Sequence, residues 1–213
     1  MAKSTRRRDP ELTQTKLLKA ATAEFAHYGF DGARVQRIVE NAGCNMRMLY
    51  HYFGDKENLY VQVLEAVYSE IREKERELDL KSLEPRQAIL RLVRFTWDHF
   101  QASTIFIDIA RNENLVGGRF VRRSKAITDM SSLLIDSIKG TIGRGLKTGE
   151  FSHRVDALQL YVSIVALSSH HLNNVHTLSA VFGTDLSDNA WLQARRRHVE
   201  AMILRMLGTD AGK

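Results

Sequence analysis

The chain has 213 residues and is 44% hydrophobic, enough apolar content to bury a core and too much for a disordered polymer. A formal net charge of +6, from 31 Lys and Arg against 25 Asp and Glu, favours a polyanionic partner. The single cysteine, Cys44, excludes an internal disulfide and a thiolate metal cluster and suits a reducing compartment.

The first residues, MAKSTRRRDPEL, are basic with no apolar run behind them, so they do not read as a signal peptide. Residues 1–8 read as a basic arm in which Lys3, Arg6, Arg7 and Arg8 either reach DNA or simply keep the chain soluble. Asp9-Pro10 marks a helix start. Leu17, Leu18, Ala21, Phe25 and Tyr28 recur at helical spacing until Gly29. Gly32-Ala33 opens a short second helix carrying Val35, Ile38 and Val39, closed by Ala42-Gly43. Asn45 caps a third helix through its side-chain oxygen. Gly54-Asp55 ends that one, and Asp55 caps a fourth running from Lys56 to about Leu78, whose second half, REKEREL, reads as a solvated charged face.

Pro85 restarts the chain into a fifth helix with Ala88, Leu92, Phe95, Trp97 and Phe100. A sixth is expected from Thr104 to Leu115, broken by Gly117-Gly118. Long helices then cover about 119–147, 155–175 and 189–207. No strand alternation and no repeat period is visible. No apolar stretch approaches the ~20 residues of a membrane span. The longest, 157–172, contains His170 and His171 and reads as a buried helix. The expected fold is all-α: a three-helix head over 9–55 and a larger helical body over 56–213, in a protein of the cytoplasm.

The head reads as a helix-turn-helix. Ile38, Ala42, Leu49 and Phe53 form its small core, and the small Ala42 and Gly43 let two helices approach. The third helix then presents Asn45, Met46, Arg47 and Met48 to base edges in a major groove. Arg47 has the geometry to donate twice to a guanine. Tyr50, Tyr52 and Lys56 stand where they reach phosphates, with plain packing as the alternative for the tyrosines.

These residues carry a resemblance. Residues 13–59 resemble the DNA-binding domain of the TetR family of bacterial transcriptional regulators, through Ala20-Ala21, Phe25, Gly29-Phe30, Gly32, Ile38, Ala42-Gly43, Leu49-Tyr50, Tyr52-Phe53, Lys56-Glu57 and Leu59. The resemblance implies a homodimer on a palindromic operator, and a base contact from Gln36. The chain departs from the family pattern at Arg34, which stands where a Thr or Ser caps the second helix and is available to phosphate instead. It departs again at Arg47-Met48, where a small residue and Thr are usual. That pair is expected to set operator choice.

The body is similar to the effector-binding part of the same family, and within it to the subgroup of the pyrimidine-utilisation repressor, through Gly145, Gly149-Glu150-Phe151 and Asp156. The resemblance implies that the last two long helices pair across a two-fold axis. Leu158, Tyr161, Val165, Trp191, Val199, Ile203 and Met206 are the seam candidates, with the protomer's own core as the alternative for each. Apolar walls with a few polar groups make an effector pocket. Phe95, Trp97, Phe100, Phe106, Ile109, Asn112, Glu113, His170, His171 and Asn174 are its candidates, fitting a small planar or carboxylate-bearing molecule, with ordinary core packing and, at Asn114 and Asn174, helix capping as the alternative. His170, His171 and His176 with Asp108 or Glu113 lack any standard ligand spacing, so neither a metal nor another cofactor is expected beyond the effector. No catalytic motif appears. The expected function is a ligand-released, DNA-binding repressor. A helical-bundle enzyme and a regulator without a small-molecule ligand are the alternatives.

Overall fold

Pro10, whose missing N–H belongs at a helix start, opens the first of ten α-helices in the computed structural model, which describes residues 10–209. They are α1 (Pro10–Gly32), α2 (Val35–Ala42), α3 (Met46–Phe53), α4 (Lys56–Glu77), α5 (Pro85–Ala102), α6 (Ile105–Leu115), α7 (Lys125–Thr148), α8 (Ala157–Asn173), α9 (Val175–Phe182) and α10 (Asn189–Met206), with a short 3₁₀ turn at Val121–Arg123. The all-α class stands, and no strand occurs among the described residues. The short α9 falls almost wholly in a stretch, 176–188, for which the sequence pattern offered no helix. The basic arm, and Asp9 with it, lies outside the described residues.

Side-chain caps set several of the helix starts. Asn45 accepts the Met48 N–H at 2.9 Å, Asp55 accepts that of Asn58 at 2.7 Å, and Asp156 accepts that of Gln159 at 2.9 Å. Arg34 gives α2 no side-chain cap. Its main-chain N–H instead donates to Glu24 Oε1 at 2.9 Å.

The helices divide into two units. The first is residues 10–69 with Asp108–Ile127, and the second is Glu70–Ile107 with residues 128–209. The unit that holds α1, α2 and α3 also takes in residues from far along the chain, through aromatic packing. Phe120, fully buried, lies 4.4 Å from the Phe30 ring and 5.1 Å from that of Tyr60, which in turn sits 4.7 Å from Phe25. Ile38, Leu49 and Phe53 are buried as expected and hold α2 and α3 together, while Ala42 is only half-buried.

Gly29 breaks the run as expected: its φ of 66° and ψ of −179° are not helical, and a short further helical stretch within α1 continues past this kink to Gly32. Beside the kink, Asn112 Nδ2 donates to the Phe25 and Ala26 carbonyls, at 3.0 and 2.9 Å.

In the second unit α5, α8 and α10 enclose the main core with α7, through Ile89, Leu92, Val93, Ile138, Leu160, Ile164, Val199, Ile203 and Leu207. Each such side chain contributes about 1.5–3 kcal/mol by leaving water. Gly145 is obligatory here, since the Phe151 ring occupies the space a Cβ would fill. A smaller cluster joins Ile71, Phe100 and Ile107, flanked by Phe95, Phe106, Val165 and Leu172.

The charged second half of α4 is only partly the solvated face expected: Glu73, Arg76 and Glu77 are exposed, but Arg72 and Glu75 turn inward. Glu75 is 2% exposed, and its carboxylate pairs with Arg72. Tyr161 closes the group, accepting from Arg72 Nη1 at 2.9 Å and donating to Glu75 Oε1 at 3.1 Å.

Candidate nucleic-acid interface and interior polar cluster

The edge of the head is built from α3. Its first turn leaves Asn45, Met46 and Arg47 exposed, with Met48 half-buried behind them. The rest of the helix is anchored, since Leu49 and Phe53 are buried at i, i+4 on the opposite face. Gly43 makes the tight turn between α2 and α3 in the left-handed region, at φ 62°. With one side bare, α3 has the width of the single helix that a major groove admits, and α2 braces it.

Around that edge the predicted residues divide. Arg34 and Tyr50 are exposed, whereas Tyr52 is half-buried and stands edge-on to Phe53 at 6.3 Å. Gln36 is exposed but its Nε2 donates to Glu40 at 2.6 Å along α2. Lys56 places its ammonium 4.8 Å from the Phe30 ring, and burial lowers its pKa against the pull of Asp31 and Glu24.

Sequence reasoning missed Arg37. Its Nε donates to Glu24 at 2.8 Å, Nη2 donates to the Gly32 carbonyl at 2.9 Å, and the guanidinium lies 4.2 Å over the Tyr28 ring. Burial alone would raise the Glu24 carboxyl, but Arg37 and the Arg34 N–H hold it below its ordinary value. This pair locks α2 to α1.

In the second unit the effector candidates separate. Trp97 and His171 stack at 4.8 Å with 14° between their planes, Trp191 stands 5.6 Å from the same imidazole, and Gln101 Nε2 meets His171 Nε2 at 2.9 Å. Phe100 and Phe106 stack at 5.9 Å in the smaller cluster. Ser168 Oγ, His171 Nδ1 and Arg195 Nε are buried without a hydrogen-bond partner. Burial, with the nearby charges of Arg195 and His170, pushes His171 down to about 4, so the ring is neutral at pH 7. Gln101, Ser168, Trp191 and Arg195 were not among the sequence candidates for this group. Ser168 and His171 at i, i+3 on α8 were the available signal.

Phe95 faces a different space, an open groove of about 540 Å³ lined also by Leu78, Leu83, Leu90, Arg91 and Arg94. Three candidates belong elsewhere. Ile109, Asn112 and Glu113 are in the first unit. Asn112 is occupied by the α1 kink, and Glu113 Oε1 accepts the N–H groups of Phe120 at 2.6 Å and Val121 at 2.9 Å. His170 is exposed, and Asn174 donates to the His170 carbonyl at 2.8 Å, the role of a helix end. Among the described residues no cluster of three or more His, Cys, Asp or Glu is placed to hold a metal.

The seam candidates also divide. Val199 and Ile203 are buried in the protomer's own core, and Tyr161 is taken by Arg72 and Glu75. Val165 packs on the smaller cluster and Trp191 is half-buried beside His171. Leu158, 53% exposed, and Met206, 36% exposed, remain on the surface, joined by Val162, Met202 and, on α9, Val181 and Phe182.

A recognition helix fixed on a small three-helix core, with its leading turn bare, defines a helix-turn-helix DNA-binding protein. The chain belongs to the TetR family of bacterial regulators: residues 17–63 match the family model for bacterial regulatory proteins of the tetR family, and residues 85–203 match that for the tetracyclin repressor-like C-terminal domain. It is 34% identical to the transcriptional repressor NicS of Pseudomonas putida over 86% of each chain. To the transcriptional regulator RutR of Escherichia coli K12 it is 28% identical over 88% of this chain and 87% of that one. Its fold is shared with FadR of Bacillus subtilis, solved in complex with stearoyl-CoA, at a TM-score of 0.63, 16% identity and coverage of 91% and 98%. No described helix is long and apolar enough to cross a membrane.

Proposed function

We propose that the chain is a dimeric transcriptional repressor that binds a palindromic operator and is released by a small-molecule effector. The bare first turn of α3, with Arg47 at its edge, carries the proposal. Two such helices in a dimer reach half-sites about 34 Å apart, or a multiple of that. FadR, of the same fold, is seen with an acyl-CoA, which supports a ligand for the body.

The effector site that the second unit favours is the Trp97–His171 stack. A small planar molecule with hydrogen-bonding edges that displaced part of this buried packing would meet the partnerless Ser168 Oγ and His171 Nδ1. Release follows if that molecule prefers the protein state with the weaker hold on DNA. No cofactor beyond this effector is invoked.

The test is titration of the full chain onto the DNA upstream of its own coding sequence at several salt concentrations. Tight, salt-dependent and sequence-selective binding is expected. Arg47→Ala should abolish the preference for that DNA over random duplex while leaving weak binding to both. Unchanged selectivity in that variant would remove Arg47 from the reading edge.

A further inference from the structure

We propose that the turn at residues 119–125 is a second DNA-binding element, gripping backbone phosphates beside the half-site that α3 reads. The inference rests on the DNA-binding reading and extends it to a segment outside the helix-turn-helix.

Residues 117–125, GGRFVRRSK, hold four cations and no carboxylate. They belong to the same unit as α3. The turn is rigid. Gly117 and Gly118 take left-handed φ of 69° and 70°, Glu113 pins the Phe120 and Val121 N–H groups, and the buried Phe120 ring wedges against Phe30 and Tyr60. A fixed turn loses little freedom on binding.

Its arginines surround the first turn of α4, directly after the recognition helix. Arg119 Nη2 reaches Glu57 Oε1 at 2.5 Å, and Arg123 Nη1 reaches Glu57 Oε2 at 2.9 Å. Arg123 Nη2 also donates to Asn58 Oδ1 at 2.8 Å, and the Asn58 N–H in turn donates to Asp55. Neighbouring Lys56 is an expected phosphate ligand. One carboxylate cannot neutralise two guanidinium groups, so a positive charge is left over. Arg122, exposed and without a carboxylate partner among the described residues, adds another.

Stability does not account for this. Exposed ion pairs contribute little, and a single arginine would satisfy Glu57. With side chains 60% and 40% exposed, Arg119 and Arg123 keep unused N–H donors in the planar fork that fits a phosphate.

The experiment is fluorescence anisotropy of the full chain on a labelled random-sequence duplex of about 30 base pairs, in KCl from about 50 to 200 mM, the range over which phosphate binding shows its salt dependence. Arg122→Gln, which breaks no ion pair among the described residues, should make the slope of log K against log salt shallower by about 0.9 for each phosphate no longer neutralised. Arg122→Gln with Arg123→Gln should make it shallower still, and Arg122→Lys should restore it. Arg91→Gln, which removes the same charge from α5, should leave the slope alone. An unchanged slope in both Gln variants overturns the proposal, as does an equal change in Arg91→Gln. Absence of salt-dependent binding by the unaltered chain would instead overturn the DNA-binding reading beneath it.

Discussion

Tyr161 donates its hydroxyl proton to Glu75 at 3.1 Å, deep in the second unit, while accepting from Arg72. Each partner satisfies a group that the others would leave stranded. Removing one alone leaves an uncompensated buried charge, at about 3–5 kcal/mol. Glu75→Gln and Arg72→Met should each lower stability by that order, measured by urea unfolding. The double replacement should recover much of the loss. If the two single losses simply add, the pair is not coupled as the geometry requires.

Asn112→Ala should destabilise the head, because the Phe25 and Ala26 carbonyls beside the Gly29 kink lose their donor. A stranded buried acceptor costs about 1–3 kcal/mol. Thermal melting and DNA affinity should both fall, with ligand binding in the second unit retained. Intact melting would mean that water replaces the amide without loss.

His171 makes stability depend on pH. Its ordinary value is 6.5 and its folded value about 4, so between these the unfolded chain takes up a proton that the folded chain refuses. Stability is therefore complete above about pH 6.5 and declines as the pH falls towards 4, by on the order of 3 kcal/mol. Denaturation at pH 7, 6 and 5 should trace the decline, and His171→Gln should flatten it. A profile identical in that variant would refute the assignment.

The exposed pairs Leu158 with Val162 and Met202 with Met206 repeat at i, i+4 on α8 and α10 and form the best remaining seam. Leu158→Glu with Met202→Glu should convert a dimer to monomer in sedimentation velocity without altering the far-ultraviolet spectrum. Ile203→Ala should instead cost about 2–5 kcal/mol of folding stability. The reverse pattern would put Ile203 in the seam.

The head was legible because its signals are local. Asn45, Asp55, Gly43 and the buried stripe of Leu49 and Phe53 each act within a turn or two of their own position. The segment that completes it was not legible, since nothing near Asn112, Glu113 or Phe120 announces a partner in α1 or α4. Charge misled at Arg72 and Glu75, where the run REKEREL outweighed the spacing of Ile71, Glu75 and Leu78 at i, i+4, i+7, which marks an inward stripe. In the body, helix existence could be read but facing could not. Val199 and Leu158 look alike in sequence, and only packing against α5 sends one inward.

The recruitment of Phe120, Glu113 and Asn112 into the first unit also sets a schedule. A chain leaving the ribosome at about 5–20 residues per second has its recognition helix early, but the aromatic wedge behind it arrives more than fifty residues after α4 begins. Until residue 127 is clear of the exit tunnel, the Gly29 kink lacks its donor and the Tyr60 ring lacks its cover. The packing behind the recognition helix is therefore completed only after a large part of the body has been made.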